Sequence, residues 1–245
     1  MKLIIIILIA CSLTRLVFLA ACNGNSTFGK KGNGHVLAED RKVQPFTKLS
    51  IEGVFPIEVQ QDGGTEWVKV ETDENLQEYI TVTNHGTELK VEMKDKPAIR
   101  KSTKMKVYVN VKDLKALNFN SVGELTTKGT LKLDGIEINT ESVGKMNLGI
   151  DANFMRANLN AVGSTTLSGN VHEARINNKS VGALKAFGLK AQILMIHNTA
   201  IGIAEVYADS AFYIRSSAIG NLEYKGPGVV KELTSEGVGK VHKVE

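Results

Sequence analysis

From residue 117 onward the hydrophobic and polar positions recur in one order: an aliphatic residue, three mostly polar ones, a small residue, Val or Ile, then Gly. The copies run Leu117–Gly123, Ile138–Gly144, Ala157–Gly163, Ile176–Gly182, Ile196–Gly202, Ile214–Gly220 and Leu233–Gly239. Their starts lie 21, 19, 19, 20, 18 and 19 residues apart. A period of this length marks stacked structural units. Two further signals recur in each period. An apolar or small residue follows two positions after the Gly (Leu125, Met146, Thr165, Leu184, Ala204, Leu222), and a break recurs at Gly129, Gly149, Gly169, Gly188, Ala208 and Gly226. Three short strands per period of about 20 residues predict one turn of a right-handed parallel β-helix, a solenoid whose rungs pair about 4.8 Å apart. One rung cannot bury its own apolar face, whereas a stack makes one continuous core.

Within the motif, two columns read as interior. One is the first aliphatic position, Leu117 to Leu233. The other is the Val or Ile before the Gly: Val122, Val143, Val162, Val181, Ile201, Ile219 and Val238. The Gly itself is expected to take a positive φ or to meet a neighbouring backbone closely. Asn118, Asn139, Asn158 and Asn177 fill the second position of four successive copies, followed by His197, Arg215 and Thr234. They read as an outward polar ladder, with amides bonded along the stack, and as a flat face on which a partner could lie.

Upstream, residues 43–115 form an opening β module. Leu49-Ser50-Ile51-Glu52-Gly53-Val54 repeats the motif in outline, with Phe55 in place of its Gly. Ile57–Gln60 and Trp67–Glu71 alternate around Asp62-Gly63-Gly64 and predict a hairpin. Ile80–Thr83 and Leu89–Met93 predict a second one around Asn84-His85-Gly86. Thr72–Tyr79 has local helix character, capped by Thr72 or Asp73. These hairpins are expected to merge with or cap the stack, giving one domain over 43–245 with the repeats in 116–245.

The first residues change the cellular picture. Leu3–Ala10 is apolar but too short for a stable membrane span, as in a signal peptide. Leu19-Ala20-Ala21-Cys22 resembles a bacterial lipobox, which implies a leader over 1–21 and a lipidated Cys22. A plain secretory cleavage, an uncut anchor and the poorer Leu8-Ile9-Ala10-Cys11 site are the alternatives. Residues 22–42 begin with Gly-rich polar sequence and read as a flexible tether.

Composition then removes function classes. The two cysteines, Cys11 and Cys22, both lie in the first 22 residues, so the repeats offer no disulfide and no thiol chemistry. Five scattered histidines lack ligand spacing, and no metal or other cofactor is expected. The net charge of +4 is mild and carries no nucleic-acid signature.

The lipobox, Phe46-Thr47-Lys48-Leu49-Ser50-Ile51-Glu52-Gly53-Val54 and the iterated Ser-Val-Gly and Ala-Ile-Gly turns together resemble the putative auto-transporter adhesin head GIN domain family of bacterial envelope proteins. The resemblance covers roughly residues 43–240. It implies a β-helix-like fold, placement in the envelope and a binding role, and it carries no catalytic residues.

Three functional readings follow. The first is a non-catalytic, lipid-anchored protein, placed at the outer membrane, whose solenoid side binds a glycan or an envelope protein. The second is a pectinase-like carbohydrate-active enzyme, which needs paired acids on one face. Asp151, Glu173, Glu205 and Asp209 are the acids available, with Glu205 and Glu223 at one outward position of successive rungs beside Lys185. The third is a structural spacer that self-associates through its open ends into a homo-oligomer.

Overall fold

The computed structural model describes residues 29–95 and 98–245. Among these the chain is all-β apart from one 3-10 turn at Glu74–Tyr79. Extended backbone runs through Ala116–Asn178, Val181–Asn198 and Ile201–Ser216. Successive motif copies lie side by side in parallel. Val162 pairs with Val181, Ile176 with Ile196, and Ile196 with Ile214. Shorter bridges carry the same order onward, Ile201 to Ile219 and Ile219 to Val238. The resulting large sheet is mixed, because antiparallel strands join it from the opening module.

Inward-facing positions keep a strict alternation through the motif copies up to Ile214–Gly220. Leu117, Phe119, Ser121 and Leu125 are buried, and so are Ile176, Asn178, Ser180 and Leu184. The first aliphatic column, Leu117 to Ile214, is interior as the sequence predicts, whereas Leu233 is 46% exposed because its copy is the last of the series.

The second predicted interior column is inverted. Val122, Val143, Val162, Val181, Ile201, Ile219 and Val238 are between 46% and 75% exposed. Alternation is the reason. If Leu117, Phe119 and Ser121 point in, Val122 must point out. The small residue before it is the buried one, as Ser121, Ala161, Ser180, Ala200 and Ala218 show. Placing a charge at this column is therefore expected to be tolerated. Val181→Asp should change unfolding free energy by less than about 1 kcal/mol, as read from chemical denaturation.

The glycines carry the bend. Their φ values run from 122° to 158° in the seven copies. A Cβ placed at Gly144, Gly163, Gly182, Gly202, Gly220 or Gly239 would come within about 2 Å of the carbonyl oxygen of the preceding glycine. Both reasons expected for Gly hold at once, and the glycines stack on one another along the whole series.

The opening module merges with this stack. Leu49 pairs in parallel with Leu117 and Ile51 with Phe119, so the outline motif at 49–54 lies beside the first full copy. Ile57–Gln60 continues the alignment beside Leu125–Lys128. Ile80–His85 and Glu88–Met93 form the antiparallel pair expected. The other predicted hairpin does not form. Met105–Asn110 lies between its two strands, parallel to Ile57–Gln60 and antiparallel to Trp67–Thr72. Val107 and Val109, fully buried, fill that place in the core, so packing of a distant strand overrides the local turn signal.

Ordered structure also begins before residue 43. Val36–Arg41, within the stretch read as tether, pairs antiparallel with Val68–Asp73. The fully buried Asp73 carboxylate fixes this segment, accepting N–H bonds from Gly34 and Thr103, each 2.7 Å. Burial alone would raise its pKa, but these backbone donors outweigh it and hold the carboxyl below its ordinary value. Asp73 occupies the N-cap position of the 3-10 turn without bonding to it. The leader over 1–21 and Cys22 lie outside the described residues.

Candidate functional site

The outward side of the motif strand carries the asparagine column. Each member sits between two buried neighbours, as Asn139 does between Ile138 and Thr140, so alternation turns the amides to the surface. The column is hydrogen-bonded in one direction. Asn158 Nδ2 donates to Asn139 Oδ1 (2.8 Å), Asn139 Nδ2 to Asn118 Oδ1 (3.1 Å), and Asn118 Nδ2 to Ser50 Oγ (3.1 Å). Ser50 Oγ then donates to Glu88 Oε1 at 2.5 Å. That bond, helped by Lys48, holds the Glu88 carboxyl below its ordinary pKa against the opposing effect of burial. The chain of donors thus ends on an anion, and aligned donors of this kind polarise one another.

At the other end the sequence of bonds stops. Asn177 stands next in the column, yet its Oδ1 is buried without a hydrogen-bond partner among the described residues. The sequence read all four asparagines as one ladder. The structure brings all four to one face but bonds only the first three along it.

This face is hollowed. A depression of about 480 Å³ is lined by the four asparagines together with Glu141 and Lys179. A second, of about 430 Å³, shares Asn158 and Asn177 with it and continues past Arg175, His197, Tyr213 and Arg215. The surface therefore changes from neutral amides to guanidinium and aromatic groups along the stack. Most of that positive charge is already matched: Arg175 Nε lies 2.6 Å from Glu173 and Arg215 Nε 2.6 Å from Glu232. Glu232 also raises the Arg215 pKa further above its ordinary value. Arg156 and Arg175 both lie over the Phe154 ring, at 5.9 and 5.5 Å from its centroid.

The acids weighed for catalysis have other occupations. Asp151 accepts from Asn170 N and Nδ2, and Asp209 accepts from Tyr207 and Gln192. Glu205 and Glu223 are adjacent in register as predicted, with Lys185 beside Glu205 and His242 3.8 Å from Glu223. They form a column of mixed charge with no hollow around it among the cavities described. Among the described residues there is no group of three or more His, Cys, Asp or Glu that could hold a metal ion.

Sequence reasoning missed an inner polar column. Asn178, Asn198 and Ser216 are buried at the third motif position, and Asn178 Nδ2 donates to Asn198 Oδ1 at 2.9 Å. The signal was present: polar residues stood at a position whose phase matches Phe119 and Leu159. Asn178 Oδ1 also accepts from Ser180 N (3.3 Å) where the strand briefly breaks at Lys179 and Ser180, whereas Asn198 Nδ2 is buried without a partner among the described residues.

Comparison with curated proteins gives no match. Comparison with solved structures gives a putative adhesin from Bacteroides fragilis at 22% identity and TM-score 0.83, covering 88% of this chain and all of that one. A putative lipid binding protein from Parabacteroides distasonis matches at 22% identity and TM-score 0.70, covering 88% of this chain and 99% of that one. A putative adhesin from the same species matches at 23% and 0.62, covering 87% and 99%. At these identities the likeness is one of fold. The family described as "Putative auto-transporter adhesin, head GIN domain" matches residues 45–228. The chain belongs to that family.

Proposed function

We propose that this is a non-catalytic binding protein of the bacterial cell envelope, anchored at the outer membrane through a lipid on Cys22. In this reading residues 1–21 are the leader, the segment from Cys22 links lipid to fold, and residues 43–245 are one β-solenoid whose sheet the strand Val36–Arg41 joins. Residues 43–115 open that solenoid and 116–245 form its repeats, wound in a right-handed sense. The parallel pairing of successive copies and the stacked glycines support the coil, and the general right-handedness of parallel crossovers supports its hand.

The outward asparagine column is the binding face, and its ligand is a hydroxyl-rich chain, a glycan. One observation carries this reading: a one-way ladder of amides from Asn158 to Asn118, with Asn177 next in the column, lies along an open polar hollow. Amides offer both donors and acceptors, which suits hydroxyls. The adhesin description of the family agrees with a binding role. The lipid-binding description of one structural relative fits this hollow less well, since amides and charges line it.

A glycan-array screen of the detergent-solubilised full chain tests the ligand class. Retention of one glycan class without product formation is expected. Glycan cleavage that depends on Glu205 or Glu223 would replace the reading with the enzymatic one. Cys22→Ala is expected to abolish acylation and membrane retention, and an acylated Cys22→Ala chain would refute the anchor assignment.

A further inference from the structure

The Val and Ile column running from Val122 to Val238 is an unbroken exposed aliphatic ridge, with Val54 beside its first member. Eight members at about 4.8 Å spacing make a ridge roughly 34 Å long. Isolated exposed aliphatics need no explanation, but a contiguous apolar strip marks an interaction surface. On one side of the ridge lies the stacked glycine backbone, which raises no side chains. The ridge and the groove over the glycines are therefore parallel neighbours.

We infer that this ridge is the interface of a parallel two-fold dimer of the chain. A two-fold axis running along the stack, between ridge and glycine groove, sets the ridge of each copy into the groove of the other. An axis across the stack would set ridge against ridge instead. The parallel arrangement is the self-complementary one.

Charge supports the same partner. Two positions before each ridge residue and two positions after it are also outward. In the parallel dimer, the position before the ridge in one copy neighbours the position after it in the other, at the same level of the stack. At the Val143 level these are Glu141 and Lys145, and at the Val238 level Glu236 and Lys240. All four are exposed and none takes part in an ion pair among the described residues. The remaining levels, from Asn120 with Glu124 to Ser217 with Asn221, bring no like charges together. A strip of this length and about three columns wide covers on the order of 600 Å² per partner, at the lower edge of specific interfaces. Self-association through this side differs from the end-to-end contact of open strands. The asparagine amides lie two outward columns away, with Glu141 and Lys179 at the border between hollow and interface, and the inference does not rest on the glycan reading.

The test uses the full chain. Sedimentation in mild detergent is expected to show a reversible dimer, and Val181→Lys to weaken it at least tenfold, with thermal unfolding unchanged at protein concentrations low enough that both chains are monomeric. Glu141→Lys and Lys145→Glu should each weaken self-association, and an equimolar mixture of the two variants should restore it. Val122→Cys and Ile219→Cys should each form disulfide-linked homodimers above the background from Cys11 and Cys22, with no mixed product. A monomer at about 100 µM, a dimer indifferent to Val181→Lys, a mixed 122–219 product or failure of the mixture to associate would each overturn the inference. So would a monomer that takes up phospholipid vesicles through the ridge, which would assign it to a lipid surface.

Discussion

Replacing Gly182 by Ala is expected to destabilise the protein by at least about 4 kcal/mol. Two effects add. The backbone at Gly182 has φ near 135°, which costs any other residue about 1–3 kcal/mol. The new Cβ would also sit 1.9 Å from the Gly163 carbonyl oxygen, and that oxygen belongs to a backbone held by its own neighbours. Neither copy can retreat without breaking the parallel register with the next one. The matching control is Gly129→Ala. Gly129 also has a positive φ, 77°, but nothing lies within 4 Å of its Cβ position. Its substitution should cost only about 1 kcal/mol. Denaturant unfolding of both variants separates conformational strain from stacking. Equal costs would show that close stacking contributes nothing.

The next largest effect is expected at Asp73. Its carboxylate accepts backbone donors from Gly34 and Thr103, which lie in separate segments, and it is fully buried. Asp73→Ala leaves those donors without partners and should cost about 2–4 kcal/mol. The substitution should also release the strand at Val36–Arg41, raising amide exchange there before elsewhere. The acid sensitivity has a defined sign. The folded-state pKa lies below the ordinary value of 3.8, so the charged form is favoured by folding. The contribution is complete above the unfolded-state pKa and is lost as pH falls through the folded value. Acid unfolding below about pH 4 should therefore be shallower in Asp73→Asn than in the unaltered chain. An identical pH dependence in the two would remove Asp73 from the account.

The repeat, the buried column at Leu117 and the outward asparagines were legible because they follow from period and alternation. The Val122 column was not read correctly. β-branched aliphatics repeated in register suggest a core, yet their phase relative to Leu117 and Phe119 places them outside. Phase therefore outranks residue type where the two conflict. The hairpin expected between Ile57–Gln60 and Trp67–Glu71 failed for another reason. Asp62-Gly63-Gly64 does turn the chain, with Gly64 N bonded to Asp62 Oδ1, but the strands it joins are separated by Met105–Asn110. A local signal cannot report a strand inserted from forty residues away. The Asp73 tie is of the same kind, since its partners at Gly34 and Thr103 are remote in sequence. At the candidate site, the column could be seen in the sequence. The direction of its bonds, their end on Glu88 and the unpartnered Asn177 carbonyl depend on side-chain positions that no spacing encodes.

The most direct test of the binding face is the affinity of the array-selected glycan for the full chain and for Asn139→Ala combined with Asn158→Ala, measured by titration calorimetry beside the melting temperature. Removing two half-buried amides that bond to each other should weaken binding at least tenfold while leaving the melting temperature within about 5 °C, since truncating both partners of one hydrogen bond leaves little unpaired. Unchanged affinity in a folded double variant would contradict the assignment of the asparagine column as the binding face.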